Sequence, residues 1–439
     1  MTYDNVFKSY DIRGLAPQEI TEELAYMIGN ALAQRNNLAT CIVGRDARTT
    51  SPELLEAVIQ GLVDAGVDVT NIGLCSTPQI KWVVGETGSE AGIMVSASHN
   101  PPEYNGFKIL EKGGLALGTR NGLWELKEYT TPRKTTPGSV TETSYLKAFV
   151  AHAQRILAAS DREVFVDPSG GVGGPEIQEL AEQGDYNFTL YNHELDPTFS
   201  VHSPNPLDPD ATHAAQEYCK VHNCIGVVLD ADADRIVFVD EDGGVVPADF
   251  LGAWLIKQRG LTRAAATVRD SQAVQDEIRA TQGTYHLVEV GHVFVQNAVY
   301  EHDLDIGVEK SGHLFLKESY CAENHLMTLL YVLKALENKR LADEIAPYKD
   351  TYLVSEEHNY RVRDKQEVLT AAQELFAKDE LLLIDGVRAS GEGWWVSVRA
   401  SNTEPLMRLT WEARTQEHYN TLKQQLADFI MPFIAESGK

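Results

Sequence analysis

Residues 92–110 read Gly-Ile-Met-Val-Ser-Ala-Ser-His-Asn-Pro-Pro-Glu-Tyr-Asn-Gly-Phe-Lys-Ile-Leu. The apolar run at 93–95 predicts the end of a buried strand. Because proline disfavours helical backbone in the residue before it, we expect Ser98 to Asn100 to form an exposed, extended loop. Open α/β sheets bind ligands at the carboxyl ends of their strands. Taken alone, Ser98 is more typical of a turn residue that bonds to the backbone.

Composition restricts the function. A chain of 439 residues predicts roughly three or four domains, because single hydrophobic cores stop growing near 250 residues. Its 64 acidic and 38 basic residues give a net charge of −26, which argues against nucleic-acid or anionic-membrane partners. A small anionic substrate would have to bind where arginine and lysine cluster. We therefore expect a small-molecule partner.

The compartment follows from two absences in the sequence. No apolar run is long enough to cross a bilayer, and the first residues lack the apolar stretch of a signal peptide. The five cysteines are scattered, odd in number and beside apolar residues, with no CxxC pair. We expect a cytoplasmic protein, monomeric or weakly oligomeric, whose cysteines are reduced packing residues.

Strand, polar loop and helix follow one another three times along the chain. Residues 41–46 predict a strand, Ser51 the N-cap of the next helix, and 67–72 a second strand, which together form a βαβ unit with parallel strands. The last 85 or so residues instead alternate as antiparallel strands do. The fold class predicted is α/β with four domains: three similar αβ domains with mixed sheets and a C-terminal α+β domain, with the active site in the central cleft. The predicted boundaries are 1–142, 143–246, 247–354 and 355–439.

A second polar stretch lies between two apolar runs. Asp230, Asp232 and Asp234 alternate with alanine, so their carboxylates repel one another unless a cation lies among them. Oxygen ligands of this kind suit a hard divalent ion, Mg²⁺ first. An EF-hand is excluded because Arg235 stands where that loop needs glycine, and because strand-like runs flank it. A solvated acidic turn is the remaining alternative.

Two further stretches carry polar groups. Glu309, Ser311 and His313 alternate, so an extended backbone would present them on one side, where they could bind sugar hydroxyls. Arg399 precedes Ser-Asn-Thr at a predicted strand end, and arginine with hydroxyls and amides is a recurrent phosphate site. Each of these stretches is also compatible with an ordinary turn.

In combination, these stretches make the chain similar to the α-D-phosphohexomutases, in particular the bacterial phosphomannomutase/phosphoglucomutase branch. The resemblance covers essentially the whole length. It rests on segments that occur in the family's order, namely 7–14, 43–46, 96–108, 230–235, 309–313 and 399–405.

The resemblance implies a reaction. Ser98 would carry a phosphate and, with Asp230, Asp232 and Asp234, bind Mg²⁺. The enzyme, an isomerase, would interconvert hexose 1-phosphate and hexose 6-phosphate of mannose or glucose through a hexose 1,6-bisphosphate. Such phosphoryl transfer needs mainly in-line positioning and charge neutralisation.

The resemblance also implies roles for the remaining residues. Lys108 and Arg13 would be the general acid and base. His99 would contact phosphate or substrate rather than act as base for Ser98, because adjacent side chains in an extended loop diverge. The substrate-binding residues implied are Tyr10, Arg235, Arg269, His292, Glu309, Ser311 and His313. The residues implied to hold the other phosphate are Arg399, Ser401, Asn402 and Thr403.

Departures from the family pattern leave the sugar open. Alanines replace the usual glycines of the aspartate loop, and Lys310 and Glu289 stand where the family often has other residues. A phosphoglucosamine mutase is therefore an alternative. A metal-dependent sugar-phosphate phosphatase and a non-catalytic sugar-phosphate-binding protein are further alternatives, although neither needs the complete set of groups.

Overall fold

Four β-sheets organise the protein in a computed structural model, which describes residues 4–401 and 406–435. The elements of the first domain are β1 (Ile12–Leu15), α1 (Glu22–Asn36), β2 (Thr40–Arg45), α2 (Ser51–Asp64), β3 (Asp68–Leu74), α3 (Thr77–Thr87), β4 (Ala91–Val95), β5 (Tyr104–Glu111), β6 (Leu115–Ala116) and β7 (Val140–Glu142). Those of the second are α4 (Leu146–Gln154), β8 (Ala159–Asp167), α5 (Gly173–Gln183), β9 (Asp185–Leu190), α6 (Pro209–His222), β10 (Ile225–Leu229), β11 (Ile236–Val239) and β12 (Val245–Val246).

The third domain contributes α7 (Ala248–Arg259), β13 (Arg263–Thr267), α8 (Gln272–Ala280), β14 (Thr284–Val288), α9 (His292–Glu301), β15 (Ile306–Val308), β16 (Leu314–Leu316), β17 (Ala322–Glu323), α10 (His325–Leu336) and α11 (Leu341–Thr351). The fourth contains β18 (Leu353–Val354), β19 (His358–Arg361), α12 (Lys365–Leu375), β20 (Glu380–Leu382), β21 (Val387–Gly391), β22 (Trp394–Ala400), β23 (Leu406–Ala413) and α13 (Gln416–Ile430).

The first three sheets share one topology. Each contains three parallel strands followed by an antiparallel one, in the orders β3-β2-β4-β5, β9-β8-β10-β11 and β14-β13-β15-β16. The fourth sheet, β18-β23-β22-β21-β20 with β19 also on β23, is antiparallel throughout. The predicted fold class, with three similar mixed-sheet domains and an α+β domain, is confirmed. The predicted boundaries stay predictions, although β18, just before the last of them, pairs with the fourth sheet.

Local sequence explains the buried strands β4 and β10 and the proline in the first turn of α2. Strands β4 and β10 are buried along their whole length, as continuous apolar runs covered on both faces require. Pro52 lies in the first turn of α2, where its missing N–H costs nothing. The prediction of Ser51 as N-cap is wrong: the helix begins at Ser51, and the Ser51 hydroxyl donates to Asp46 Oδ1 at 2.5 Å.

The first three domains share an apolar core. A single cluster joins Trp82 of α3, Phe238 of β11 and Trp254 of α7, whereas the fourth domain packs its own core around Val396 and Trp411. The shared core fixes the ends of the first three sheets relative to one another. Within residues 4–401 and 406–435, none of the helices has the length and apolarity needed to span a membrane.

Candidate active site

Three of the predicted stretches occupy equivalent places in the fold. In each of the first three sheets, the last parallel strand is joined to its antiparallel neighbour by a polar loop. These loops are 96–103 after β4, 230–235 after β10 and 309–313 after β15. The carboxyl ends of the parallel strands therefore direct all three loops to a common centre, as open α/β sheets do.

The first loop differs from its prediction. Ser98 is only 3% exposed, and its φ of +51° lies in the left-handed region, so the segment is a buried turn rather than an exposed extended loop. Because of this turn, the side chains of Ser98 and His99 do not diverge: Ser98 Oγ lies 3.2 Å from His99 Nδ1. Burial, together with the nearby Arg235 and Arg13, lowers the pKa of His99 far below its usual value. The ring is neutral at pH 7.

Arg48, which the sequence did not indicate, holds this turn in place. Its side chain is fully buried, and its guanidinium donates to the backbone oxygens of Ser98 and Asn100 at 2.6 Å each. Nη1 of the same guanidinium donates to the backbone oxygens of Pro101 and Tyr104 at 2.6 and 3.0 Å. One side chain therefore satisfies three carbonyl groups of the Ser98 loop and that of the first residue of β5. The only sequence signal was a basic residue just after the polar end of β2.

The second loop brings three buried carboxylates to Ser98. Ser98 Oγ donates to Asp230 Oδ2 at 3.0 Å, and one oxygen from each of Asp230, Asp232 and Asp234 lies within 4.8 Å of the others. Burial and, to a smaller extent, repulsion from the other two aspartates raise the pKa of Asp230 well above its usual value. Strands on both sides of the loop confirm that it is not an EF-hand.

Lys108 of β5 lies among these carboxylates. Its Nζ is 2.6 Å from Asp232 and 2.5 Å from Asp234, and it is 4% exposed. Although burial acts in the opposite direction, the two carboxylates raise the pKa of Lys108 above its ordinary value, so it is a cation. One lysine neutralises part of a charge that three aspartates create.

The aspartate cluster fits a divalent cation. Among the described residues, Asp232 Oδ1 is buried without a hydrogen-bond partner, although its other oxygen accepts from Thr77 and Lys108 at 2.6 Å each. An unsatisfied buried carboxylate oxygen is costly. Carboxylate oxygens are the ligands that Mg²⁺ prefers. The predicted ligands Asp230, Asp232 and Asp234 therefore converge as an Mg²⁺ site requires.

The third loop is a tight turn, so the prediction of an extended backbone at Glu309 to His313 is wrong. The Glu309 amide donates to the His313 carbonyl at 3.0 Å, which closes the turn. The turn nevertheless brings the predicted side chains together: His313 Nδ1 lies 3.0 Å from Glu309 and 2.8 Å from Ser311 Oγ. His313 Nε2 lies 3.2 Å from Asp234. Although burial opposes it, Asp234 and Glu309 raise the pKa of His313 to about 10.

Asp270, also missed from the sequence, supports this turn. It is fully buried, and its Oδ1 accepts from the Lys310 amide at 2.6 Å while Oδ2 accepts from the Thr267 amide. Burial and, after it, repulsion from the Asp249 carboxylate raise the pKa of Asp270 to about 7. The neighbouring Glu412 of the fourth domain accepts from the Gln272 amide at 3.1 Å, and burial raises its pKa to about 7 as well.

The raised pKa of Glu412 predicts a pH-dependent stability. Because the folded pKa exceeds the value of 4.5 for a free glutamate, the stability that Glu412 contributes is present at low pH and is lost as the pH rises through about 7. We expect the thermal midpoint of Glu412→Gln, relative to wild type, to rise between about pH 5 and about pH 8. Scanning calorimetry over that range measures it. The control is Glu392→Gln, at an exposed glutamate in the turn between β21 and β22, and its curve should run parallel to that of wild type. A parallel curve for Glu412→Gln would contradict the prediction.

Other predicted side chains surround a cleft of about 1070 Å³. Arg13 donates to Asn100 Oδ1 at 2.8 Å, and the Arg235 amide donates to Asp230 Oδ1 at 3.1 Å. Arg269 pairs with Glu357 of the fourth domain at 3.1 Å. The predicted residues that line the cleft are Tyr10, Arg13, His99, Arg235, Arg269, His292, Glu309, Ser311 and His313.

The fourth-domain stretch lies at the end of β22. Arg399 is 8% exposed, and its guanidinium bonds to Asp385. Ser401 is buried, and its amide donates to the Leu406 carbonyl at 2.8 Å. Asn402 and Thr403 lie outside the described residues.

Comparisons with known proteins agree with this geometry. Four family models match successive parts of the chain: phosphoglucomutase/phosphomannomutase alpha/beta/alpha domains I, II and III at residues 4–126, 143–244 and 249–350, and the C-terminal domain at 357–429. The chain belongs to the phosphoglucomutase/phosphomannomutase family. The phosphohexomutase resemblance and the isomerase class predicted from the sequence are confirmed.

Relatives in this family match over nearly the whole chain. A phosphomannomutase of Methanocaldococcus jannaschii is 31% identical over 96% of each chain, and a phosphoglucomutase of Neisseria gonorrhoeae is 28% identical over 94% of each. Among solved structures, a phosphoglucomutase/phosphomannomutase family protein of Burkholderia thailandensis superposes with a TM-score of 0.87 at 25% identity and covers 98% of both chains.

Proposed function

We propose that this protein interconverts the 1- and 6-phosphates of mannose and glucose, with Ser98 as phosphate carrier and a hexose 1,6-bisphosphate as intermediate and activator. The observation that carries the proposal is the buried Ser98 Oγ, 3.0 Å from Asp230 in a cluster of three aspartates. A seryl phosphate adds about −1.5 to −2 charges, which such a cluster tolerates only beside cations. Magnesium bound by Asp230, Asp232 and Asp234 would neutralise that charge and polarise the transferred group.

The residues around Ser98 suit phosphoryl transfer. The bond from phosphorus to Ser98 Oγ breaks as a bond from phosphorus to the free sugar hydroxyl oxygen forms, and charge grows on the serine oxygen. In the net step, the proton of the sugar hydroxyl is transferred to that serine oxygen, which ends as a neutral hydroxyl. Lys108, held as a cation by Asp232 and Asp234, stabilises that charge. Because its pKa is raised, Lys108 stays protonated and acts as a cation rather than as a base. Arg13 and the neutral His99, which line the cleft, bind the phosphoryl oxygens.

The rest of the cleft binds the sugar. Glu309 and Ser311 bind the hydroxyls, and His313, whose ring bonds to Glu309, orients the turn. Tyr10, Arg235, Arg269 and His292 bind other parts of the sugar phosphate from the cleft wall. Arg399 and Ser401, with Asn402 and Thr403, hold the phosphate that does not react. A site of this kind accepts the bisphosphate in either orientation, as the reaction requires.

A coupled assay tests the proposal. We expect mannose 1-phosphate and glucose 1-phosphate to yield the 6-phosphates in the presence of Mg²⁺, with a lag that a catalytic amount of glucose 1,6-bisphosphate removes. Glucosamine 1-phosphate, run in parallel, tests the phosphoglucosamine mutase alternative. Release of inorganic phosphate faster than formation of any 6-phosphate would favour a phosphatase and overturn the proposal.

A further inference from the structure

A single carboxylate oxygen connects the third and fourth domains at the cleft. Asp385 Oδ2 accepts from Nε of Arg399 at 2.8 Å, lies 2.8 Å from Nη2 of the same side chain, and accepts from the Val290 amide at 3.1 Å. Asp385 lies between β20 and β21 of the fourth domain, while Val290 lies between β14 and α9 of the third. The phosphate-binding arginine and the loop that precedes His292 therefore share one acceptor.

The connection continues into the first domain. The carbonyl of Val290 accepts from the Tyr10 hydroxyl at 2.7 Å. Gly291 has a φ of +143°, and a Cβ there would lie 2.6 Å from Cζ of Tyr10, so the close approach requires glycine. Val290 and Tyr10 both line the cleft. A chain of hydrogen bonds thus runs from Tyr10 through Val290 and Asp385 to Arg399.

The geometry at Arg399 leaves one part of its guanidinium for a ligand. Asp385 engages Nε and Nη2, whereas Nη1 is buried without a hydrogen-bond partner among the described residues. A buried donor without a partner is costly, and an anion at Nη1 would satisfy it. Asp385 has a φ of +51° and is followed by Gly386 at +103°, a left-handed turn that aspartate tolerates better than most residues.

We infer that Asp385 is a positioning residue for phosphate capture: it orients Arg399 towards the non-reacting phosphate and ties that arginine to the sugar-binding side of the cleft through Val290. The inference rests on the proposed function and extends it. Since the phosphate on Arg399 is bound equally in ground and transition states, losing its orientation affects binding rather than the chemical step.

Kinetics on glucose 1-phosphate test the inference. We expect Asp385→Ala to raise KM about tenfold with kcat within about twofold, because the charge-assisted hydrogen bonds that orient Arg399 are lost while the groups around Ser98 are unchanged. Asp385→Asn, which keeps an acceptor oxygen but loses the charge, should raise KM about threefold. Asp379→Ala, an exposed aspartate of the same domain, is the matched control and should match wild type.

A double-mutant cycle separates positioning from a general structural role. If Asp385 acts through Arg399, Asp385→Ala should change KM no further once Arg399→Ala is present. The same tenfold rise in both backgrounds, or a fall in kcat with KM unchanged, would overturn the inference.

Two measurements keep the inference testable if the mutase assay itself fails. Calorimetric binding of inorganic phosphate to the full chain should weaken about tenfold in Asp385→Ala, and only when Arg399 is present. Hydrogen exchange of the Val290 amide should accelerate in Asp385→Ala but not in Arg399→Ala. Unchanged phosphate binding or unchanged exchange in Asp385→Ala would overturn the inference, whereas a wild-type protein without mutase activity would overturn only the proposed reaction.

Discussion

Replacement of Ser98 by alanine is expected to lower mutase activity by at least ~10³-fold, because the covalent phosphate carrier is removed. The substitution deletes one hydroxyl from a turn whose backbone is held by Arg48, and with it the hydrogen bond from Ser98 Oγ to Asp230. The fold should therefore remain intact. A coupled assay, together with intact mass of the purified protein, measures both consequences: wild type is expected to carry about 80 Da of added phosphate, and the variant none.

Ser96→Ala provides the matched control for this experiment. Ser96 lies in the same buried loop, and its hydroxyl accepts from the Ser98 amide at 2.9 Å. Removing it should cost no more than about tenfold in activity, since one neutral hydrogen bond contributes about 1 kcal/mol. Full activity in Ser98→Ala, with an unchanged melting curve, would rule out a phosphoserine mechanism for this protein.

Local sequence was sufficient for the elements that position the site. The apolar runs of β4 and β10 and the polar residues after them predicted both loops, because burial on two faces leaves a continuous apolar signal. The alternation of three aspartates predicted their convergence, since like charges so close together need a cation. The family followed from the order of these motifs, each of which was ambiguous alone.

What local sequence could not predict depends on contacts between distant segments. The prolines after Asn100 indicated an exposed loop at Ser98, but Arg48 and residues of the second domain bury it. The Phe199 ring of that domain packs on the Arg48 guanidinium, with 5.0 Å between Cζ and the ring centroid. Asp270 and Asp385 likewise act on backbone amides far along the chain, Lys310 and Val290. A lone acidic or basic residue carries no local signal for such a partner.

Lys108 shows the same limit for charge. The resemblance implied a general acid or base role for Lys108, but its pairing with Asp232 and Asp234 crosses from the first domain to the second. That pairing sets its protonation state and therefore its chemistry. A lysine without these partners in a buried site would lose its proton readily, whereas this one is held as a cation.

Arg48→Lys is expected to lower kcat by about 100-fold, because a misplacement of the reacting group by about 1 Å has that cost. Lysine keeps the charge but offers three donors from a single point, so it cannot reproduce the fork that binds the oxygens of Ser98, Asn100, Pro101 and Tyr104. Each carbonyl left unsatisfied also costs about 1–3 kcal/mol, so the thermal midpoint should fall.

The matched control is Arg45→Lys, three residues earlier in the chain. Arg45 is half-buried, and its guanidinium donates to the Asp46 carbonyl at 2.9 Å rather than to the Ser98 loop. Its replacement should leave kcat within a few-fold of wild type. Equal decreases in the two variants would contradict the prediction, because Arg45 does not hold the Ser98 loop. A decrease confined to Arg48→Lys would mean that the geometry of the Ser98 turn, set by one buried arginine, limits phosphoryl transfer.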